Sequence, residues 1–397
     1  MSRMNAIRSC RKRPTHAAPR ALLCVLTAVG LLAGCAAGDP SESGTAGGSK
    51  TEGAGGAPSR SAIVDAVSPA LDEAGVPGAA ILIDAGDGDG DSDGETLALI
   101  GEASPGRAVD SDTRFAYRSI TKSVVGTVIL QLAEEGAVDL DEPVSSYIDG
   151  VPGGERITVR ELATMRSGLP NYSASPGLGE LLTSDPGREP AVDELLELAF
   201  AEPADFAPGE EYEYSNTNTL LLGEVIEAVT GASWEQEVAD RILRPLDMDS
   251  AAYGFTSAEQ DATGFQLSDG EAEELPTVAP GWFGAAGGLT GDVRDLATWG
   301  RALGSGELLE ETTQQERLEQ FGSIDDDPQS PEYDRYGFAM GEIEGWIGHT
   351  GNGLGFQALV MYEPESADVV AILVNGTGED PDLPAALFTE LLPLLAE

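Results

Sequence analysis

The sequence predicts an α+β domain. Segments of strand-like character lie near the start and near the end of the chain. Helical spacing of apolar residues fills the stretch between them. The foldable part, about 340 residues, exceeds the usual size of a single core, so a sheet with a mostly helical second lobe is expected.

Residues 1–34 are set aside first, as an export signal. Arg3, Arg8, Arg11, Lys12, Arg13 and Arg20 precede a short apolar stretch over 21–32. Leu32-Ala33-Gly34-Cys35 then looks like a lipoprotein cleavage site, which predicts a lipidated Cys35 and an extracytoplasmic protein anchored to the cell membrane. Of the three cysteines, Cys10 and Cys24 fall in the leader and Cys35 carries lipid, so no disulfide is expected in the mature chain. Residues 35–59, rich in Gly, Ala and Ser, read as a flexible tether with a reach of about 25 to 30 Å. The folded domain is assigned to 60–397.

Within it, Ile63, Val64, Ala66, Val67 and Leu71 predict a helix over 61–74, followed by strands over 79–84 and 96–101. The Gly/Asp run 86–94 between them matches the first half of a calcium loop through Asp89, Asp91, Asp93 and Gly94. Its twelfth position is Ile100, where a bidentate glutamate is required, so a solvated turn is expected. Val124, Val125, Val128, Ile129, Leu130 and Leu132 predict a helix over 120–134 that is apolar on most faces and therefore buried. Further helices are expected over 158–165, 192–200, 217–230, 234–242 and 292–304, with no convincing strand among them. Strands follow over 336–343, 345–349, 356–362 and 369–375, and a helix over 384–396 closes the chain. Two strands from one end and three or four from the other imply one antiparallel sheet built from both ends.

Charge narrows the function. With 69 acidic against 22 basic side chains the net charge is −47, and removal of the basic leader makes the domain more acidic still. Nucleic acid and anionic lipid headgroups are excluded as partners of its surface. Solubility at high ionic strength, where self-repulsion is screened, accounts for the acidity.

The domain keeps one lysine, Lys122, and one histidine, His349. Lys122 closes Ser119-Ile120-Thr121-Lys122 at the start of the buried helix, so the serine and lysine share a face and one turn. A serine hydroxyl needs a base to become a nucleophile, and burial beside a helix N-terminus lowers a lysine's pKa enough to supply one. Tyr214-Ser215-Asn216 adds Tyr214 as a proton shuttle and Asn216 as a partner for a substrate amide. His349-Thr350-Gly351 is expected on a strand whose free edge pairs with substrate, where Gly351 permits close approach. The N–H of Ser119 and that of Asn352 or Gly353 are the candidates for an oxyanion hole. No Gly-x-Ser-x-Gly elbow occurs, and with one histidine and no cysteine a zinc site would depend on carboxylates.

Each word alone is weak; their order, with separations of about 95 and 135 residues, is specific. Here the sequence resembles the serine β-lactamase and D-alanyl-D-alanine carboxypeptidase superfamily, nearest to class C β-lactamases and secreted DD-peptidases. The likeness extends through 115–123, 157–160, 167–169, 214–218, 245–248, 286–289 and 348–351. It implies Ser119 as the acylated nucleophile, Lys122 and Tyr214 as the proton-transfer pair, and His349 and Thr350 as contacts for a substrate carboxylate. One departure stands out: the carboxypeptidases place an arginine near the strand before the third word, whereas 336–341 has none and Glu342 and Glu344 follow. Arg335 precedes that strand.

The expectation is a monomeric, membrane-tethered serine hydrolase without cofactor or metal. Its substrate is a small D-alanyl peptide, β-lactam or ester, with cell-wall peptidoglycan as a partner. An esterase or β-lactamase with the same residues, or an idle cell-wall-binding module, is the alternative.

Overall fold

The computed structural model describes residues 57–86, 94–268, 270–324, 327, 330–378 and 380–395. The leader, Cys35, most of the tether and most of the Asp/Gly run lie outside them.

One antiparallel sheet of eight strands dominates the structure. From edge to edge it runs Arg107–Ala108, Glu95–Ser104, Gly78–Asp84, Val369–Val374, Phe356–Tyr362, Trp346–Gly353, Gly341–Ile343 and Arg335–Tyr336. The N-terminal and C-terminal halves meet at its centre, in the register Ala79↔Val374 through Asp84↔Val369. The central strands are apolar throughout because both of their faces are covered. Ile81, Ile83, Leu359, Met361, Val370 and Ile372 point to one face, where they pack against Ile63, Val67, Leu387, Phe388 and Leu391 of the helices Arg60–Ala74 and Leu383–Leu395. Ala80, Leu82, Ala358, Val360, Ala371 and Leu373 point to the other, against Val124, Val128, Leu296 and Trp299. The helical lobe thus shares its core with the sheet and has no separate one.

Most expected elements are present, with differences at the ends of the strands. The strand expected over 336–343 is broken into Arg335–Tyr336 and Gly341–Ile343, and the next extends to Gly353. The middle of the chain also holds strands. Phe115–Ala116 pairs with Leu289–Gly291, which pairs with Ala252–Tyr253, while Phe265–Ser268 lies between Glu271–Glu274 and Gly376–Thr377. At two to four residues each, they are too short to show a period.

A buried asparagine ties the two ends together. Asn375 Oδ1 accepts the Gly78 N–H at 2.8 Å, and Nδ2 donates to Glu102 O at 3.0 Å and Ala103 O at 3.2 Å. Asn375→Leu leaves the buried Gly78 N–H and the Glu102 and Ala103 carbonyls without this partner, and should lower unfolding free energy in urea by about 2 to 4 kcal/mol.

Candidate active site

The chain approaches Ser119 along a braced segment. The Tyr117 N–H donates to Leu289 O at 2.9 Å and its hydroxyl to Asp292 O at 2.7 Å. Arg114, buried, donates to Thr290 Oγ1 at 2.7 Å and pairs with Asp261 at 3.1 Å. Arg118 then takes a left-handed conformation, φ 51°, which costs a side-chain-bearing residue about 1–2 kcal/mol. Its guanidinium holds it there: Nε donates to Gly353 O at 2.8 Å, Nη2 donates to Leu354 O at 3.1 Å, and the group stacks 3.9 Å from the centre of the Phe283 ring. One 3₁₀ turn, Arg118–Ile120, leads into the helix Thr121–Glu134.

This places Ser119, half-buried, at the head of a helix whose first ten residues are all buried. Lys122 has no exposed surface. Its Nζ lies 2.9 Å from Ser119 Oγ, donates to Ala286 O at 2.7 Å and sits 5.1 Å from the centre of the Tyr214 ring. Burial drives its pKa well below the ordinary lysine value. As a neutral amine it has a lone pair for the serine proton. The neighbouring Ser123 takes no part, since its hydroxyl donates to Ile120 O and accepts from Trp299 Nε1.

Tyr214 also faces this point. Burial pushes its phenol well above the ordinary range, with Tyr333 adding to the effect and the Ser119 hydroxyl opposing it. Its buried Oη makes no hydrogen bond of good geometry, so the proton it carries is not committed elsewhere. A neutral phenol in this place can relay a proton but is poorly suited to act as a phenolate base. Asn216 opens the helix Asn216–Thr230 and is partly exposed, with its amide donating to Ser173 Oγ at 2.8 Å. That bond turns the Asn216 side chain and leaves its carbonyl oxygen for an incoming N–H.

The opposite wall is the strand Trp346–Gly353. Its outer neighbour covers it only from Trp346 to Gly348, so among the described residues no strand pairs with this edge from His349 onward. The Thr350 N–H points out of this edge, to Tyr333 Oη at 2.7 Å. Strand alternation sends the Asn352 N–H the same way and the Gly353 N–H inward, which selects Asn352 as the companion of the Ser119 N–H. Gly351 makes the approach possible: a Cβ there would lie 2.3 Å from Tyr117 O and 3.1 Å from Ser119 N.

His349 departs from expectation. It has no exposed surface, and Thr350 keeps 4 %. Alternation turns the imidazole toward the helical lobe, between Tyr333 and Tyr336. Burial, with the nearby lysine, lowers its pKa to about 3. Arg335 is paired with Glu342 at the surface. Among the described residues no cluster of His, Cys, Asp or Glu could hold a metal, and no helix is long and apolar enough to cross a membrane.

The comparisons agree with this architecture. The family model described as Beta-lactamase matches residues 63–392, and the chain belongs to that family. Its fold is that of the serine β-lactamase and DD-peptidase superfamily. The D-stereospecific amidohydrolase from Streptomyces sp. superposes with a TM-score of 0.72 at 28% identity, over 84% of this chain and 99% of that one. Protein flp of Staphylococcus aureus (strain MW2) is 26% identical over 67% of this chain and 54% of its own length. Esterase EstB of Burkholderia gladioli is 32% identical over 43% of this chain and 45% of its own. The chain therefore spans about half the length of these curated relatives.

Sequence reasoning passed over Arg118, Ser173, Tyr333 and Tyr336. Only the two tyrosines left a signal, as paired aromatics flanking the start of an expected strand.

The buried histidine makes stability depend on pH. The unfolded chain takes up its imidazole proton near pH 6.5 and the folded one near pH 3, so more protons are bound unfolded between them and stability falls as pH drops through that window. Denaturation at pH 7 and pH 4.5 should show His349→Gln losing less stability on acidification than the wild type, by about 2 kcal/mol.

Proposed function

We propose that the protein is an extracytoplasmic serine hydrolase that is acylated on Ser119 and acts on D-alanyl peptides in the manner of a D-alanyl-D-alanine carboxypeptidase. One observation carries the chemistry: a fully desolvated lysine whose Nζ is 2.9 Å from a serine Oγ at the head of a helix. Lys122 takes the serine proton as Oγ attacks the carbonyl carbon. The Ser119 and Asn352 N–H groups receive the developing oxyanion, and Tyr214 passes the proton to the leaving amine. Water then cleaves the acyl-enzyme by the reverse proton path.

The preference for a D-configured amide is supported by the D-stereospecific amidohydrolase, similar over nearly its whole length. The lipoprotein-like reading of residues 1–34 and Cys35 supports a site of action outside the membrane, close to peptidoglycan. A second reading, an esterase, is favoured by the likeness to Esterase EstB and by the lack of a free arginine at the carboxylate position.

Fluorescent penicillin and fluorophosphonate should both label the wild-type domain, and Ser119→Ala should abolish labelling. Lys122→Ala should slow acylation by about 10³-fold, the scale of a lost general base. Equal labelling of Ser119→Ala would sink the mechanism. Turnover of D-alanyl-D-alanine peptides above that of short-chain esters is the expected outcome, and the reverse ranking establishes the esterase.

A further inference from the structure

We infer that Tyr333 is a positioning residue that fixes the Thr350 hydroxyl as a hydrogen-bond donor toward the open edge, which sets the site for substrates bearing a carboxylate beside the bond cleaved. This rests on Ser119 being the nucleophile.

His349 Nδ1 is 2.5 Å from Thr350 O. A carbonyl oxygen only accepts, so at this distance Nδ1 carries a hydrogen and donates it. Tyr333 Oη is 3.1 Å from the same Nδ1, 2.7 Å from Thr350 N and 2.9 Å from Thr350 Oγ1. The first two are N–H donors, so among the described residues Thr350 Oγ1 is the neighbour able to receive the tyrosine's own hydrogen. Burial keeps that phenol protonated. Thr350 Oγ1 therefore accepts from Tyr333, and no protein acceptor for its own hydrogen is in reach among the described residues.

Tyr336 completes the chain from the far side. Its hydroxyl is 3.2 Å from His349 Nε2. In the neutral imidazole that nitrogen is an acceptor, and so the Tyr336 hydroxyl donates to it. The hydrogen bonds run in one direction, from Tyr336 through His349 to the Thr350 carbonyl, and from Tyr333 to the Thr350 hydroxyl. The lone histidine acts as an orienter of the donor. This explains how a carboxylate is received where 336–341 has no arginine and Arg335 is occupied by Glu342.

The test compares acylation by benzylpenicillin and by its methyl ester, which differ only in the free carboxylate. Wild type should prefer the acid. Tyr333→Phe, which keeps the ring, should lower that preference about tenfold by loss of an oriented, charge-assisted hydrogen bond. Thr350→Val should lower it equally, Thr350→Ser should retain it, and Tyr333→Phe with Thr350→Val should lose no more than either alone. Equal rates for acid and ester in the wild type, equal slowing of both by Tyr333→Phe, or multiplying losses in the double variant overturns the inference. If Tyr333→Phe does not fold, the contrast of Thr350→Val with Thr350→Ser decides, and equal preference in those two overturns it. Labelling of the wild type by fluorophosphonate, which needs the nucleophile but no carboxylate, reads the Ser119 chemistry separately. Its loss in the wild type is instead a failure of Ser119 chemistry.

Discussion

Desolvation of one amine is the constraint on which the rest of the site depends. In water Lys122 would hold its proton and Ser119 would be an ordinary hydroxyl. The amine holds that proton far less firmly because burial removes it from solvent, in a chain rich in acidic groups. Among the described residues its hydrogen-bond partners are the Ala286 carbonyl and the serine. The wholly buried face of Thr121–Glu134 is thus part of the chemistry as well as part of the core.

Keeping that amine dry while leaving the serine accessible requires two walls that nearly touch. The braced segment 114–118 forms one wall, and the edge strand Trp346–Gly353 forms the other. Arg118 binds them directly, spending its guanidinium on the carbonyls of Gly353 and Leu354 and accepting a left-handed backbone to do so. Glycine at 351 is the matching concession from the strand.

The sequence made the reactive pair legible because helix geometry is local: three residues separate Ser119 from Lys122, and a run of apolar residues shows which helix is buried. Tyr214 and Asn216 were legible through order and spacing, and the central sheet through strands placed at both ends. What was not legible depends on non-local facts. The parity of a strand decides whether His349 or Thr350 faces the cleft, and that parity comes from a partner strand rather than from the word itself. The tyrosines that hold the imidazole come from the edge strand Arg335–Tyr336 and the turn before it. Strands of two or three residues carry no period at all, so the small sheet that braces the approach to Ser119 left no trace in the pattern.

The pairing of the first long strand with the last has a kinetic meaning. Gly78–Asp84 lies between Glu95–Ser104 and Val369–Val374, so half of its ladder must wait for a partner from the far end of the chain. Arg118 likewise waits for carbonyls 235 and 236 residues away. A chain still being synthesised therefore cannot complete either the sheet or the cleft. Contacts of such sequence separation make folding slow, and the central strands expose apolar edges until the last of them arrives. The cleft around Ser119 thus comes into being late, as a final consequence of closing the sheet.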